Sequence, residues 1–201
     1  MPAENKMHFY LNWAKERIDE MDATLASLES RVAQIAADSR AKANQFIADL
    51  RKIRDEFQSN VKKQADAGEA AWDSSRVQLE AEWKRFEAEV KKYLETFGKD
   101  IEQQKIVFQG QLTAQIKAWL ETADKIHAAA MEVATERRRD IDATVTRMRA
   151  DAAAAEEKLQ KLARAGTESW STLNAALGES RAVFDRANQS AREAFKRAVG
   201  A

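Results

Sequence analysis

Near the amino terminus, apolar residues recur at the spacing of a heptad. Leu11, Ala14, Ile18, Met21, Leu25, Leu28, Val32 and Ile35 alternate steps of three and four, and charged residues such as Lys15, Glu16, Arg17, Asp19 and Glu20 fill the gaps. This predicts an amphipathic helix with a coiled-coil seam and a solvated outer face. Beyond Ser39 the interval lengthens. Phe46, Phe57, Gly68, Leu79, Val90, Ile101 and Leu112 follow one another at eleven residues, as do Val61, Trp72, Trp83 and Leu94, then Phe86, Phe97, Phe108 and Trp119. Leu162, Leu173, Phe184 and Phe195 repeat the interval near the carboxyl terminus, and Trp170 continues the stripe between Gly166 and Leu173.

Eleven residues at about 100° each overshoot three turns by roughly 20°, so each series stays on one face of a nearly straight helix. Three adjacent series of large side chains make a stripe wider than a two-stranded seam requires. The stripe is the candidate interaction surface. Between Met131 and Ala155 it thins to small residues, with Ala134, Ile141, Val145, Met148, Ala152 and Ala155 as its members. A partner helix can approach such a segment closely, and one carrying Phe46 and Phe57 would fill the space, as in a hairpin folded near the midpoint of the chain.

Breaks in the pattern are few. Gly98, with Asp100 and Gln103 after it, offers one helix end and a cap for the next, and Ala165-Gly166-Thr167 offers a second stop and start. Gly110 is the rival position for the midpoint turn. A third alternative, a helix running through both, follows from the unbroken phase of the series, although the whole chain as one helix would reach about 300 Å. The expectation is a single all-helical domain over residues 1–201, with long helices at about 4–97, 100–165 and 167–198, folded as an antiparallel coiled-coil hairpin or elongated bundle.

Composition agrees with this reading. The 201 residues include six glycines and one proline, at position 2, too few turn residues for a sheet protein of this length. Thirty-three basic residues balance 33 acidic ones, against a nucleic-acid binder, which needs clustered positive charge. With no cysteine there is no thiolate chemistry and no zinc or iron-sulfur cluster held by cysteine. The longest stretch without formal charge, 106–116, is shorter than the roughly 20 residues of a bilayer span and carries Gln109, Gln111 and Gln115. Charges crowd the first residues where a secretory signal would be apolar, so the expected location is the cytoplasm.

Candidate chemistry is sparse. Asp124 and His127 share a helical face at the spacing used by di-iron bundles, but the motif occurs once, and His8 has Glu4 one turn before it. The carboxylate pairs Glu87-Glu89, Asp140-Asp142 and Glu156-Glu157 read as solvated helix faces, with glutamate and lysine one turn apart in Glu87-Lys91 and Glu121-Lys125. Acidic neighbours surround the run Arg137-Arg138-Arg139. No cofactor, metal or catalytic site is expected.

The eleven-residue repeat with large aromatic residues among alanine and charges, over roughly Phe46 to Phe195, resembles the amphipathic arrays of exchangeable apolipoproteins, perilipins and the phasins that coat bacterial polyester granules. The resemblance implies a non-catalytic, surface-active or scaffolding role and carries no site residue across. The functional expectation is a self-associating structural protein whose stripe packs on partner helices or on a second copy. The alternative is a peripheral coat on a lipid or granule surface.

Overall fold

A computed structural model of the chain describes residues 8–68, 71–98 and 101–200. Among them the protein is all-helical, with no strand. Six α-helices follow one another: α1 (Phe9–Arg31), α2 (Ala37–Ala67), α3 (Trp72–Phe97), α4 (Ile101–Ala130), α5 (Arg139–Ala165) and α6 (Trp170–Gly200), with a short 3₁₀ turn at Val32–Gln34. Neighbouring helices alternate in direction. Glu29 meets Arg51 and Asp22 meets Arg54 across α1 and α2, while Glu56 meets Arg85 across α2 and α3. Asp124 meets Arg149 across α4 and α5, and Lys158 meets Glu179 across α5 and α6.

The helix expected over about 4–97 is therefore three helices, and the one expected over 100–165 is two. A start near residue 4, Glu4 beside His8 and Asp100 as a cap all lie outside the described residues. Gly68 ends α2 with φ +84°, and Gly166 ends α5 with φ +70°, backbone that a side chain strains. Gly98 ends α3, its N–H donating to the Leu94 carbonyl. The other two breaks, at 32–36 and 131–138, contain neither glycine nor proline. Helix α6 begins at Trp170, with the Ser169 hydroxyl accepting from the Thr172 N–H, later than the expected residue 167.

Gly110 is no turn. It sits inside α4, where a Cβ would lie 2.7 Å from the Ser27 hydroxyl and 3.4 Å from the Ala23 carbonyl of α1. The missing side chain lets α1 and α4 pack backbone to side chain along their length.

Two apolar cores result. One is built by α1, α2 and α3 around Met21, Leu28, Leu50, Phe57, Phe86 and Tyr93. The other is built by α4, α5 and α6 around Phe108, Trp119, Ile141, Met148, Phe184 and Phe195, with Phe9 of α1 against it. The alanine-rich face of α5 belongs to this second core, so it does not receive Phe46 and Phe57 as expected. Phe46 instead meets Tyr93 and Phe97 edge-on, and Phe57 lies 6.1 Å from Trp13. Phe46 and Phe57 are thus covered by helices of their own half, α3 and α1.

Replacing Phe184, fully buried and 5.6 Å edge-on from Trp119, with alanine is expected to cost about 3–5 kcal/mol of unfolding free energy in a denaturant titration. Gly110→Val is expected to cost about 1–3 kcal/mol in the same measurement, because its branches meet Ser27 and Ala23 of α1.

Candidate functional site

Between the two cores the contact is largely polar, with Phe9 of α1 and Val107 of α4 reaching across it. On α1, Asn12, Glu16, Glu20 and Thr24 follow at steps of four and are all buried, a second stripe beside the apolar seam. Gln111 and Gln115 face it from α4, and Arg181, Asp185 and Asn188 face it from α6. The Gln111 amide donates to the Thr24 hydroxyl at 2.9 Å, and the Gln115 amide donates to Glu20 at 2.9 Å. The Asn12 amide donates to the Asn188 side-chain oxygen, while the Asn188 amide donates to the Phe9 carbonyl.

The centre is ionic. Arg181 donates to both oxygens of Glu20 at 3.0 and 3.1 Å and to Glu87 of α3 at 2.8 Å. Its guanidinium also lies over the Trp83 ring at 4.9 Å. Arg17 grips Asp185 with two bonds of 2.9 and 2.7 Å, touches Glu16, and stacks over Trp13 at 4.3 Å. Four carboxylates thus share two guanidiniums. The expectation of solvated charges fails here: Glu16 and Glu20 are 0% exposed, and Glu87 pairs with Arg181 instead of Lys91.

The surplus of negative charge falls on Glu16. Burial and then the Glu20 charge hold its carboxyl well above the usual range. As a carboxylate its Oε1 has no partner among the described residues, and as a carboxyl it donates to Glu20. Burial also raises Glu87. Glu20 is lowered: burial opposes its charge, but Arg181 and the bonds from Glu16 and Gln115 outweigh it. Burial likewise opposes the charge of Arg181, yet Glu20, Glu87 and Glu16 keep it protonated.

Beside the seam, where the starts of α1 and α3 meet the later part of α6, a cleft of about 450 Å³ opens. Phe9, Tyr10, Trp13 and Trp72 form one wall, with Tyr10 stacked on Trp72 at 5.2 Å and Trp13 edge-on to it at 5.4 Å. Asp185, Arg186, Asn188 and Arg192 of α6 form the other.

The predicted stripe residues divide between the cores. Phe57, Trp72, Leu79, Trp83, Phe86, Val90 and Leu94 are buried in the first, with Phe46 and Phe97 partly buried against it. Phe108, Leu112, Trp119, Leu173, Phe184 and Phe195 are buried in the second. Trp170 packs on both, and Ile101 stands 51% exposed. The helices of this chain therefore cover most of the stripe.

The other sequence candidates do not converge. Asp124 bonds Arg149, and His127 faces Asp142 at 3.8 Å. Among the described residues no helix is long and apolar enough to cross a membrane. Glu121 pairs with Lys15 and Lys117 instead of Lys125. Arg137 and Arg139 are exposed in and after the turn at 131–138, and Arg138 pairs with Asp142 at 3.4 Å. The seam went unread, although the four-residue spacing of Asn12, Glu16, Glu20 and Thr24 and the uncharged glutamines of α4 were signals for it. No family model, curated protein or solved structure matches this chain.

The carboxyls of the seam oppose one another with pH. Glu16 binds its proton more tightly folded than unfolded. Its contribution is complete below the ordinary glutamate value of 4.5 and is lost as pH rises through the raised folded value. The contribution of Glu20 is present above 4.5 and is lost as pH falls through its lowered value. Glu16→Gln is expected to stabilise the chain at neutral pH and make the decline above 4.5 shallower, as read by denaturation at several pH values. Glu20→Gln is expected to cost about 3–5 kcal/mol at neutral pH, because it strips Arg181 of its main counter-charge.

Proposed function

We propose that the chain is a non-catalytic structural and interaction protein of the cytoplasm, a self-associating scaffold of helices. The observation that supports this reading is the division of the aromatic stripe into two cores that meet across directional polar pairs. An apolar stripe accepts many coverings, whereas Glu20 with Arg181, Arg17 with Asp185 and Asn12 with Asn188 accept one register. The unit α1–α3 of one copy offers the same groups to α4–α6 of another as to its own. Exchange of these units between copies then builds the assembly, and the stripe packs on partner helices of identical sequence. In this reading α2 with α3, and α5 with α6, work as antiparallel coiled-coil hairpins of an elongated bundle.

Light scattering coupled to gel filtration, over a range of concentration, tests this. A mass of two or more chains that falls toward one chain in Arg181→Ala is expected. A single-chain mass at every concentration would argue against it. Helix α6 also favours a second reading. Leu173, Phe184 and Phe195 lie on one straight face of α6, and separation at the polar seam would offer that face to a lipid or granule surface. For the scaffold, tryptophan emission is expected to be blue-shifted already and unmoved by vesicles. A further blue shift on adding vesicles would support the coat.

A further inference from the structure

The cleft beside the seam has a chemistry that the scaffold reading does not use. Its flat wall is the stacked pair of Tyr10 and Trp72, closed at one side by Trp13. Tyr10, Trp13 and Trp72 are buried, so a planar ring entering the cleft meets the outer edges of this aromatic group. The volume of about 450 Å³ lies within the range of small-molecule sites and suits two fused rings with a short polar arm.

The facing wall selects charge. Asp185, the acidic residue among those lining the cleft, has both oxygens occupied by Arg17. The Asn188 amide is committed to the Phe9 carbonyl and its oxygen to Asn12. Arg76 at the rim is held by Glu80. Arg186 lines the same space, is exposed, and makes no ion pair among the described residues. A cation without a counter-charge thus stands opposite an aromatic wall. The buried Trp13, whose indole N–H has no acceptor among the described residues, belongs to that wall.

We infer that this cleft binds a small planar aromatic carboxylate of naphthalene or indole size, the rings against Tyr10 and Trp72 and the carboxylate toward Arg186. Binding does not depend on the proposed self-association, since the same residues of α1, α3 and α6 form the cleft whether they belong to one chain or to two exchanged copies.

Calorimetric titration of the full chain with naphthalene-1-carboxylate, 1-naphthylmethylammonium and 1-naphthalenemethanol tests the inference. The carboxylate is expected to bind saturably and about tenfold more tightly than the ammonium compound. Arg186→Glu, at an exposed position, is expected to weaken the carboxylate by about tenfold and leave the neutral alcohol within about twofold. Trp72→Leu is expected to weaken all three. Should that variant unfold, Arg186→Glu decides the question alone. No saturable carboxylate binding, equal affinity for the ammonium compound, or an Arg186→Glu variant that binds the carboxylate as before would each overturn the inference.

Discussion

The pairing of Arg181 with Glu20 is the contact on which the arrangement of all six helices depends. Both groups are out of water, and an isolated charge there would cost several kcal/mol. The pair is tolerable only while Gln115 of α4 and Glu87 of α3 complete its hydrogen bonds. Those partners come from four helices that are distant in sequence. A slide of one helix turn along α1 would leave a guanidinium or a carboxylate buried without a partner. Apolar packing supplies most of the attraction between the helices, but it tolerates sliding far better than this cluster does. Register between the two halves is thus set by hydrogen-bond geometry.

That constraint explains features that otherwise look unrelated. Helix α1 is buried on almost every side, by its apolar seam toward α2 and by its polar stripe toward α4 and α6. Close approach of α1 to α4 needs Gly110, and the same approach brings Gln111 and Gln115 within bonding distance of Thr24 and Glu20. Because four carboxylates share two guanidiniums, full ionisation of the cluster is disfavoured, and burial beside Glu20 makes Glu16 the carboxyl held well above its usual range. A buried network of this kind adds little net stability compared with an apolar replacement, and its value lies in admitting one arrangement.

The scaffold reading and the cleft both follow from the polar layer. Two apolar cores joined mainly by directional polar pairs, with Phe9 and Trp170 as apolar contacts between them, form a keyed contact that the proposed assembly would reuse between chains. At one end of the key, Asp185 turns inward to Arg17, which leaves exposed Arg186 of α6 facing an aromatic wall. Structural demand inside the bundle thus creates the charge imbalance of the cleft.

The all-helical class was fixed by residue pattern alone, because apolar spacing and the shortage of glycine and proline are local properties. The same holds for the stripe, whose large members from Phe57 to Phe195 are nearly all interior. Helix ends marked by Gly98 and Gly166 were legible too, since a helix terminus leaves its own chemical mark. The turns at 32–36 and 131–138 were not, for they carry no breaker residue and form where the helix length suits the neighbours. The phase of the eleven-residue series marked no break either, since Gly68 after α2 and Ile101 at the start of α4 keep step. Only the tertiary structure decided that Glu16, Arg17, Glu20 and Arg181 are interior, because a charge looks solvated in sequence until its counter-charge, 161 residues away for Glu20 and Arg181, is brought beside it.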